Sequence, residues 1–153
     1  GYLPGDKDKK LNYWMQPIFD NLNFIMHFEN DLDKISSSQK SYDKVNYLLE
    51  SKIIEIEALT YIRGRSIPRQ FIIIDEVQNL TPHEVKTIIS RAGENTKIVL
   101  TGDPEQIDNQ YLDSNSNGLT YVAERFKGQE GTGHVFLSKS ERSYLASLAV
   151  DLL

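Results

Sequence analysis

The chain has 153 residues, of which 39% are apolar and 25% charged, so it is long enough for a globular domain and unlike a disordered segment. It has no cysteine, which excludes disulfides and thiolate zinc sites, and its three histidines are scattered along the chain. The net charge of −5 argues against a surface built mainly for nucleic acid, although it is compatible with a local basic groove. No apolar run approaches the ~20 residues that cross a bilayer, so we expect no membrane association. The length predicts a single domain, residues 1–153, and the lack of cysteine suits the reducing cytoplasm.

The first third of the chain is predicted to be mainly helical. Apolar residues recur at helical spacing over residues 11–28, interrupted by Pro17, which predicts one kinked helix or two short ones. A polar, serine-rich loop follows, and helical spacing resumes over residues 42–49. The isoleucines within residues 52–58 then predict a strand.

A basic segment comes next and is predicted to be a connecting loop. Its arginines are Arg63, Arg65 and Arg69. They could contact nucleic-acid phosphates or simply be solvated, and the sequence favours the contact only slightly.

The rest of the chain alternates strands with helices. Strands are predicted at residues 71–75, 97–101 and 134–138. The first is a continuous apolar run, typical of a strand buried on both faces. Helices are predicted from a Thr81 cap to Gly93, over residues 118–127 with Gly128 closing, and after Ser138, where Glu141 completes a capping-box spacing. This alternation predicts an α/β fold with a parallel sheet flanked by helices.

Two acidic residues end the first of these strands. A carboxylate at the carboxyl end of a buried strand lies at the crevice where α/β proteins bind ligands, and Mg²⁺ on nucleotide phosphates needs such hard oxygen ligands, which suits Asp75. Glu76 is expected to face another way, because successive strand residues alternate, and to polarise an attacking water. Acids that merely cap the following loop explain this pattern about equally well.

A second polar cluster follows the next strand. Gly102 permits close approach to a ligand, Asp103 could lie near a metal or its waters, and Gln106 could donate to a phosphate oxygen while accepting from water. Taken alone, a plain Gly-Asp-Pro turn is the simpler interpretation. Together with Gln78 after the first strand, however, two consecutive strands end in acids and amides, which favours a site.

Arg142 lies at the start of the last predicted helix. Its planar, permanently charged guanidinium suits a phosphoryl group, although a solvent-facing arginine paired within its own helix explains it at least as well. The chain has no G-x-x-x-x-G-K-[ST] segment, and no Lys-Ser/Thr follows the glycines of residues 128–133. Half of the expected nucleotide site is therefore absent.

As an ensemble, several segments resemble the PhoH family of ATPases. They are Gly1-Tyr2-Leu3-Pro4-Gly5, Arg63-Gly64-Arg65-Ser66, Asp75-Glu76-Val77-Gln78-Asn79, Thr101-Gly102-Asp103-Pro104-Glu105-Gln106-Ile107-Asp108 and Glu141-Arg142-Ser143. Asn117-Gly118-Leu119 and residues 125–128 resemble the subgroup in which the ATPase follows an amino-terminal PIN ribonuclease domain. The resemblance implies a RecA-like, superfamily 1 helicase-like P-loop NTPase core without its P-loop strand, which is expected upstream of residue 1.

The resemblance also implies roles for the cluster, with ATP and Mg²⁺ as cofactors. Asp75 would hold Mg²⁺ as the Walker B aspartate, Glu76 would be the general base, Gln106 the sensor of the terminal phosphate and Arg142 the arginine finger. We expect two further residues, Asp103 and Gln78, to help bind the cofactor.

The implied partners are RNA and further copies of the protein in a ring. We therefore expect a fragment of an ATP-hydrolysing, RNA-directed motor that is inactive when isolated. The alternative is a non-catalytic binding or assembly module that lacks the phosphate loop.

Overall fold

The structure, a computed structural model, describes residues 7–28, 37–62, 64–138, 143–145, 148 and 152. The chain divides into two compact units, Gly1–Arg63 and Gly64–Leu153. The expectation of a single domain stays a prediction. Among the described residues, none of the helices is both long enough and apolar enough to span a membrane.

The first unit is helical. Its helices are α1 (Lys7–Phe28), α2 (Ser37–Glu50) and α3 (Leu59–Ile62). The first is continuous through Pro17, so the sequence pattern marks one helix rather than two. Helices α1 and α2 pack against each other, and Val45 of α2 is buried.

The strand predicted at residues 52–58 is wrong. These residues form a turn and an irregular segment instead. Lys52 takes a left-handed conformation with φ of 56°, and the N–H groups of Ile53 and Ile54 both donate to Leu48 O, at 3.0 and 3.1 Å. Because the end of α2 captures these amides, β-branched side chains do not produce a strand here.

The second unit is built around a parallel pair of strands. Its elements are β1 (Phe71–Ile74), a short 3₁₀ helix (Val77–Asn79), α4 (Pro82–Ile89), β2 (Lys97–Leu100) and α5 (Gly118–Phe126). The register pairs Phe71 with Lys97 and Ile74 with Leu100. The predicted α/β class, with a parallel sheet and flanking helices, is confirmed, and both strands end at the same edge.

Strand β1 is not buried on both faces, as its apolar run predicted. Phe71 and Ile73 are 63% and 65% exposed, whereas Ile74 is only 5% exposed. Alternate strand residues face opposite sides of a sheet. Only one face of β1 is therefore covered by the described residues.

The strand predicted at residues 134–138 is also wrong. This segment has no regular structure, and Val135, Phe136 and Leu137 are all largely exposed. A strand needs a neighbour for its hydrogen bonds and a cover for its apolar side chains, and the described residues supply neither here. The helix predicted after Ser138 lies largely outside the described residues.

Helix α4 begins as predicted. The hydroxyl of Thr81 accepts the Glu84 N–H at 3.2 Å, and the Glu84 carboxylate accepts the Thr81 N–H at 2.9 Å. Pro82 occupies the first turn. This reciprocal capping fixes where the chain turns after β1.

The end of α4 differs from the prediction. The helix stops at Ile89, and Gly93 is not left-handed, so the predicted closure by Gly93 is wrong. A Cβ on Gly93 would lie 2.8 Å from Pro68 Cα. The glycine is needed because the segment before β1 passes directly over it.

Helix α5 is capped by Asn117, whose buried side chain accepts the Thr120 N–H at 2.9 Å and donates to Asp113 O at the same distance. The predicted closure by Gly128 is confirmed by its φ of 74° directly after the last turn. A hydrogen bond from the N–H of Asn115, and smaller contributions from hydrogen bonds of the Ser116 side chain and N–H, hold the pKa of the Asp113 carboxyl below its ordinary value. Asp113 thus shapes the turn before α5.

Gly118→Ala is expected to destabilise the protein by about 1–3 kcal/mol, because a Cβ at this position would overpack the contact between α4 and α5. It would lie 2.4 Å from Val85 Cγ2 and 2.8 Å from Leu80 O, and the backbone oxygen cannot move aside cheaply. Chemical denaturation monitored by circular dichroism measures the change. Gly133→Ala is the matched control, since no described residue lies within 4 Å of its added Cβ. Equal stability of the two variants would contradict this packing.

Candidate functional site

Asp75 follows β1 directly and is oriented by the neighbouring strand. Its Oδ1 accepts the N–H of Glu76 at 3.0 Å and the hydroxyl of Thr101 at 2.6 Å. The side chain is exposed. Among the described residues both hydrogen bonds to this carboxylate end on Oδ1, so Oδ2 is left to bind a cation or a water.

Glu76 has an unusual backbone conformation. Its φ of 55° and ψ of 38° place it in the left-handed region, which costs a non-glycine residue about 1–3 kcal/mol. The N–H of Val77 donates to Thr101 O at 3.0 Å, and the N–H of Asn79 donates to Glu76 O at 3.0 Å. These bonds hold the strained turn in place.

The side chain of Glu76 is directed by this turn. Strand alternation does not determine where Glu76 faces, because β1 already ends at Ile74. The carboxylate Oε2 instead accepts the Gln78 Nε2–H. Strained backbone of this kind is concentrated at functional sites, which supports a chemical role for this carboxylate.

The loop after β2 is organised by Asp103. Its carboxylate accepts the Glu105 N–H at 3.0 Å and the side-chain amide of Gln106, and its carbonyl accepts the Gln106 N–H at 3.0 Å. The side chain of Gln106 is therefore set by Asp103. A direct contact of Asp103 with a metal or nucleotide stays a prediction.

Gln78 links the two strand ends from inside the protein. It is fully buried, and its Nε2 donates to both Glu76 Oε2 and Gln106 O, the latter at 2.9 Å. Its Oε1 accepts the Asp103 N–H at 3.2 Å. The predicted contact of Gln78 with a cofactor stays a prediction, but this geometry favours a supporting role.

The glycine at position 102 makes a close approach, although its partner is not a ligand. A Cβ here would lie 2.2 Å from Gln78 Oε1 and 3.2 Å from the backbone N of Val77. The structure thus explains Gly102 by the packing of the two loops against each other.

Thr101 and Asn79 also belong to this cluster, although the sequence patterns predict no role for either. Asn79 Oδ1 accepts the N–H groups of Asp108 and Asn109, at 2.7 and 3.3 Å. It thereby connects the segment after β1 to the carboxy-terminal part of the loop after β2. Hydroxyl and amide side chains next to strand-end acids are the signal that could have found both, since such groups bridge neighbouring loops.

The other predicted residues lie elsewhere. Arg65 and Arg69 are exposed in the loop before β1, where Arg69 N–H donates to Glu94 O at 2.9 Å. The loop before β1 lies at the amino end of the sheet, whereas Asp75 lies at the carboxyl end. Arg63 and Arg142 lie outside the described residues.

A metal at this site would have few protein ligands. No group of three or more acidic or histidine side chains is placed to hold a metal within the described ranges. Mg²⁺ commonly binds through one or two carboxylates together with waters and substrate phosphates. Asp75 Oδ2, which accepts no hydrogen bond from the described part of the chain, fits this mode of binding.

Comparison with known proteins gives a consistent family match. The model of the PhoH family, described as PhoH-like protein, matches residues 1–152. Protein PhoH2 of Bacillus subtilis is 61% identical over 155 residues, which cover 100% of this chain and 32% of that protein. Protein PhoH2 of Mycolicibacterium smegmatis is 36% identical over 153 residues, with the same coverage. The PhoH-like protein of Bacillus subtilis is 32% identical over 141 residues, 92% of this chain and 39% of that protein. The chain thus spans about a third of the length of these relatives.

Proposed function

The chain belongs to the PhoH family, and on this premise we propose that it supplies the metal-binding and water-activating side of an ATP-hydrolysing site. The observation that supports this most is the cluster at the carboxyl ends of β1 and β2. There, one carboxylate has an oxygen that no described residue contacts, and it precedes a second carboxylate held on strained backbone. Acids that only cap the loop after β1 would need neither an available oxygen on Asp75 nor a left-handed backbone at Glu76.

Each side chain of the cluster has a proposed task. The Asp75 carboxylate would hold Mg²⁺, which would neutralise charge on the phosphates. Glu76 accepts a proton from the attacking water. Gln106, oriented by Asp103, donates to the terminal phosphate.

We further propose that the rest of the nucleotide site lies upstream in a longer protein, in which this chain is the carboxy-terminal part of a P-loop NTPase domain. The absence of a G-x-x-x-x-G-K-[ST] segment from residues 1–153 supports this. The same proposal includes fusion to a PIN domain, as in the subgroup that the sequence resembles. It also includes an RNA-directed activity in a ring, with RNA contacted by Arg63, Arg65 and Arg69.

The test compares the isolated chain with the full-length protein. We expect the full-length protein to hydrolyse Mg·ATP, and the isolated chain to bind Mg·ATP weakly with little or no turnover, because it lacks the lysine and backbone amides that hold the phosphates. Titration calorimetry and steady-state phosphate release measure both. Micromolar binding and steady turnover by the isolated chain would contradict the need for an upstream loop, and an inactive full-length protein would support a binding module.

Thr101→Val in the full-length protein is expected to raise the Mg²⁺ concentration required for half-maximal hydrolysis by roughly 10–100-fold, the usual cost of removing a group that orients a metal ligand. Valine keeps the shape of threonine but cannot donate to Asp75 Oδ1. A Mg²⁺ titration at saturating ATP measures the shift. Thr101→Ser retains the hydroxyl and should remain near the parent. A parental requirement in the valine variant would show that Asp75 is not oriented through Thr101.

A further inference from the structure

The environment of Gln78 fixes the orientation of its side-chain amide. Gln106 O can only accept a hydrogen bond, and the Asp103 backbone N–H can only donate one. Nε2 must therefore face Gln106 O, and Oε1 must face the Asp103 N–H, as the structure has them. The second hydrogen of Nε2 is then directed to the Glu76 carboxylate.

The space around this amide is closed. Gln78 is fully buried, and an added Cβ on Gly102 would lie 2.2 Å from its Oε1. A side chain in such a pocket cannot change its rotamer unless the loop after β2 moves as well. The position of that loop therefore determines where Nε2 lies.

From this geometry we propose that Gln78 is a positioning residue that places the Glu76 carboxylate according to the position of residues 103–106. This inference rests on the proposed function, because it assigns Gln78 a role in the activity of Glu76. A shift of Gln106 on contact with a nucleotide would move the backbone carbonyl that anchors Nε2. The general base and the phosphate-sensing loop would then move together.

Three variants separate this role from simple loop packing. Gln78→Leu removes all three hydrogen bonds at similar size. Gly102→Ala changes no polar atom but displaces Gln78 sterically. Asn79→Leu is the control, because Asn79 fastens the same two loops through Asp108 and Asn109.

The first measurement is amide hydrogen exchange on the nucleotide-free, full-length protein. We expect the Asp103 amide to exchange at least about tenfold faster in Gln78→Leu and in Gly102→Ala, since its acceptor is lost or displaced, while the Asp108 amide keeps its parental rate. Asn79→Leu should show the reverse. Parental protection of the Asp103 amide in Gln78→Leu would overturn the positioning role.

The second measurement is steady-state ATP hydrolysis. We expect Gln78→Leu to lower kcat by roughly 10²-fold, a typical cost of a misplaced catalytic group, with KM for ATP near the parental value. In the Glu76→Gln background the same change should cause no further loss, because the carboxylate that it positions is gone. Asn79→Leu should retain far more of the parental kcat than Gln78→Leu.

The outcomes distinguish this inference from the function on which it rests. A parental rate in Glu76→Gln would overturn the proposed function, and with it the positioning role. If Glu76→Gln is nearly inactive but Gln78→Leu keeps the parental kcat, only the positioning role is overturned. A drop in kcat that persists undiminished in the Glu76→Gln background would also overturn it, because the loss would then not act through Glu76.

Discussion

Glu76→Gln in the full-length protein is expected to reduce ATP turnover by roughly 10²–10⁴-fold, the usual contribution of a general base, while nucleotide affinity stays nearly unchanged. The amide has the size of the carboxylate but does not accept a proton from water. Its oxygen can still accept the Gln78 Nε2–H that the structure places on Glu76 Oε2. The variant therefore removes the chemistry and keeps the position.

Single-turnover hydrolysis and equilibrium binding of Mg·ATP measure the two halves of this expectation. Glu94→Gln is the matched control, since Glu94 is exposed in the loop before β2, at the opposite end of the sheet. It should turn over ATP like the parent. If Glu76→Gln did the same, the assignment of the general base would be wrong.

Arg142→Ala is expected to lower kcat by roughly 10³–10⁵-fold, as loss of an arginine finger does in comparable enzymes, and to raise KM far less. The reason is that a guanidinium beside the transferring phosphoryl group offsets charge that builds up during the reaction. Arg142 lies outside the described residues, so its role is proposed from the sequence resemblance. Steady-state kinetics of the full-length variant measure the effect.

An arginine that is already engaged in packing provides the control. The Arg125 guanidinium lies 5.2 Å from the ring centroid of Tyr121 on α5, so Arg125→Ala should lose this contact and keep the parental kcat. An unchanged kcat for Arg142→Ala would leave Arg142 as an ordinary surface charge. Mixing Arg142→Ala with Glu76→Gln protein would restore activity only if Arg142 acts on a neighbouring subunit.

Some local signals predict the fold correctly and others do not, since the closure of α4 by Gly93 and the strand at residues 52–58 are wrong. Thr81, Pro82 and Glu84 mark the start of α4, because the capping box depends only on neighbouring residues. The meeting of the loops after β1 and β2, where Gln78 Nε2 donates to Gln106 O at 2.9 Å, is expected from parallel pairing, which aligns the carboxyl ends of neighbouring strands.

The parts that depend on distant partners were not predictable. Residues 134–138 have the pattern of a strand, but a strand also requires a neighbour with free backbone groups. The burial of Gln78 and the close approach of Gly102 depend on contact between two loops that are distant in sequence. The hydrogen bond from Asp103 N to Gln78 Oε1, for example, spans 25 residues. Nor does any local rule place a glutamate such as Glu76 in the left-handed region.

The most direct test of the proposed site is a crystal structure of the full-length Glu76→Gln protein with Mg·ATP, which should bind nucleotide without consuming it. We expect Mg²⁺ next to Asp75, directly or through one water, and a water within hydrogen-bond distance of the side chain at position 76 and in line with the terminal phosphate. A nucleotide bound away from the carboxyl ends of β1 and β2, with neither side chain near its phosphates, would contradict the assignment of this cluster as the ATP site.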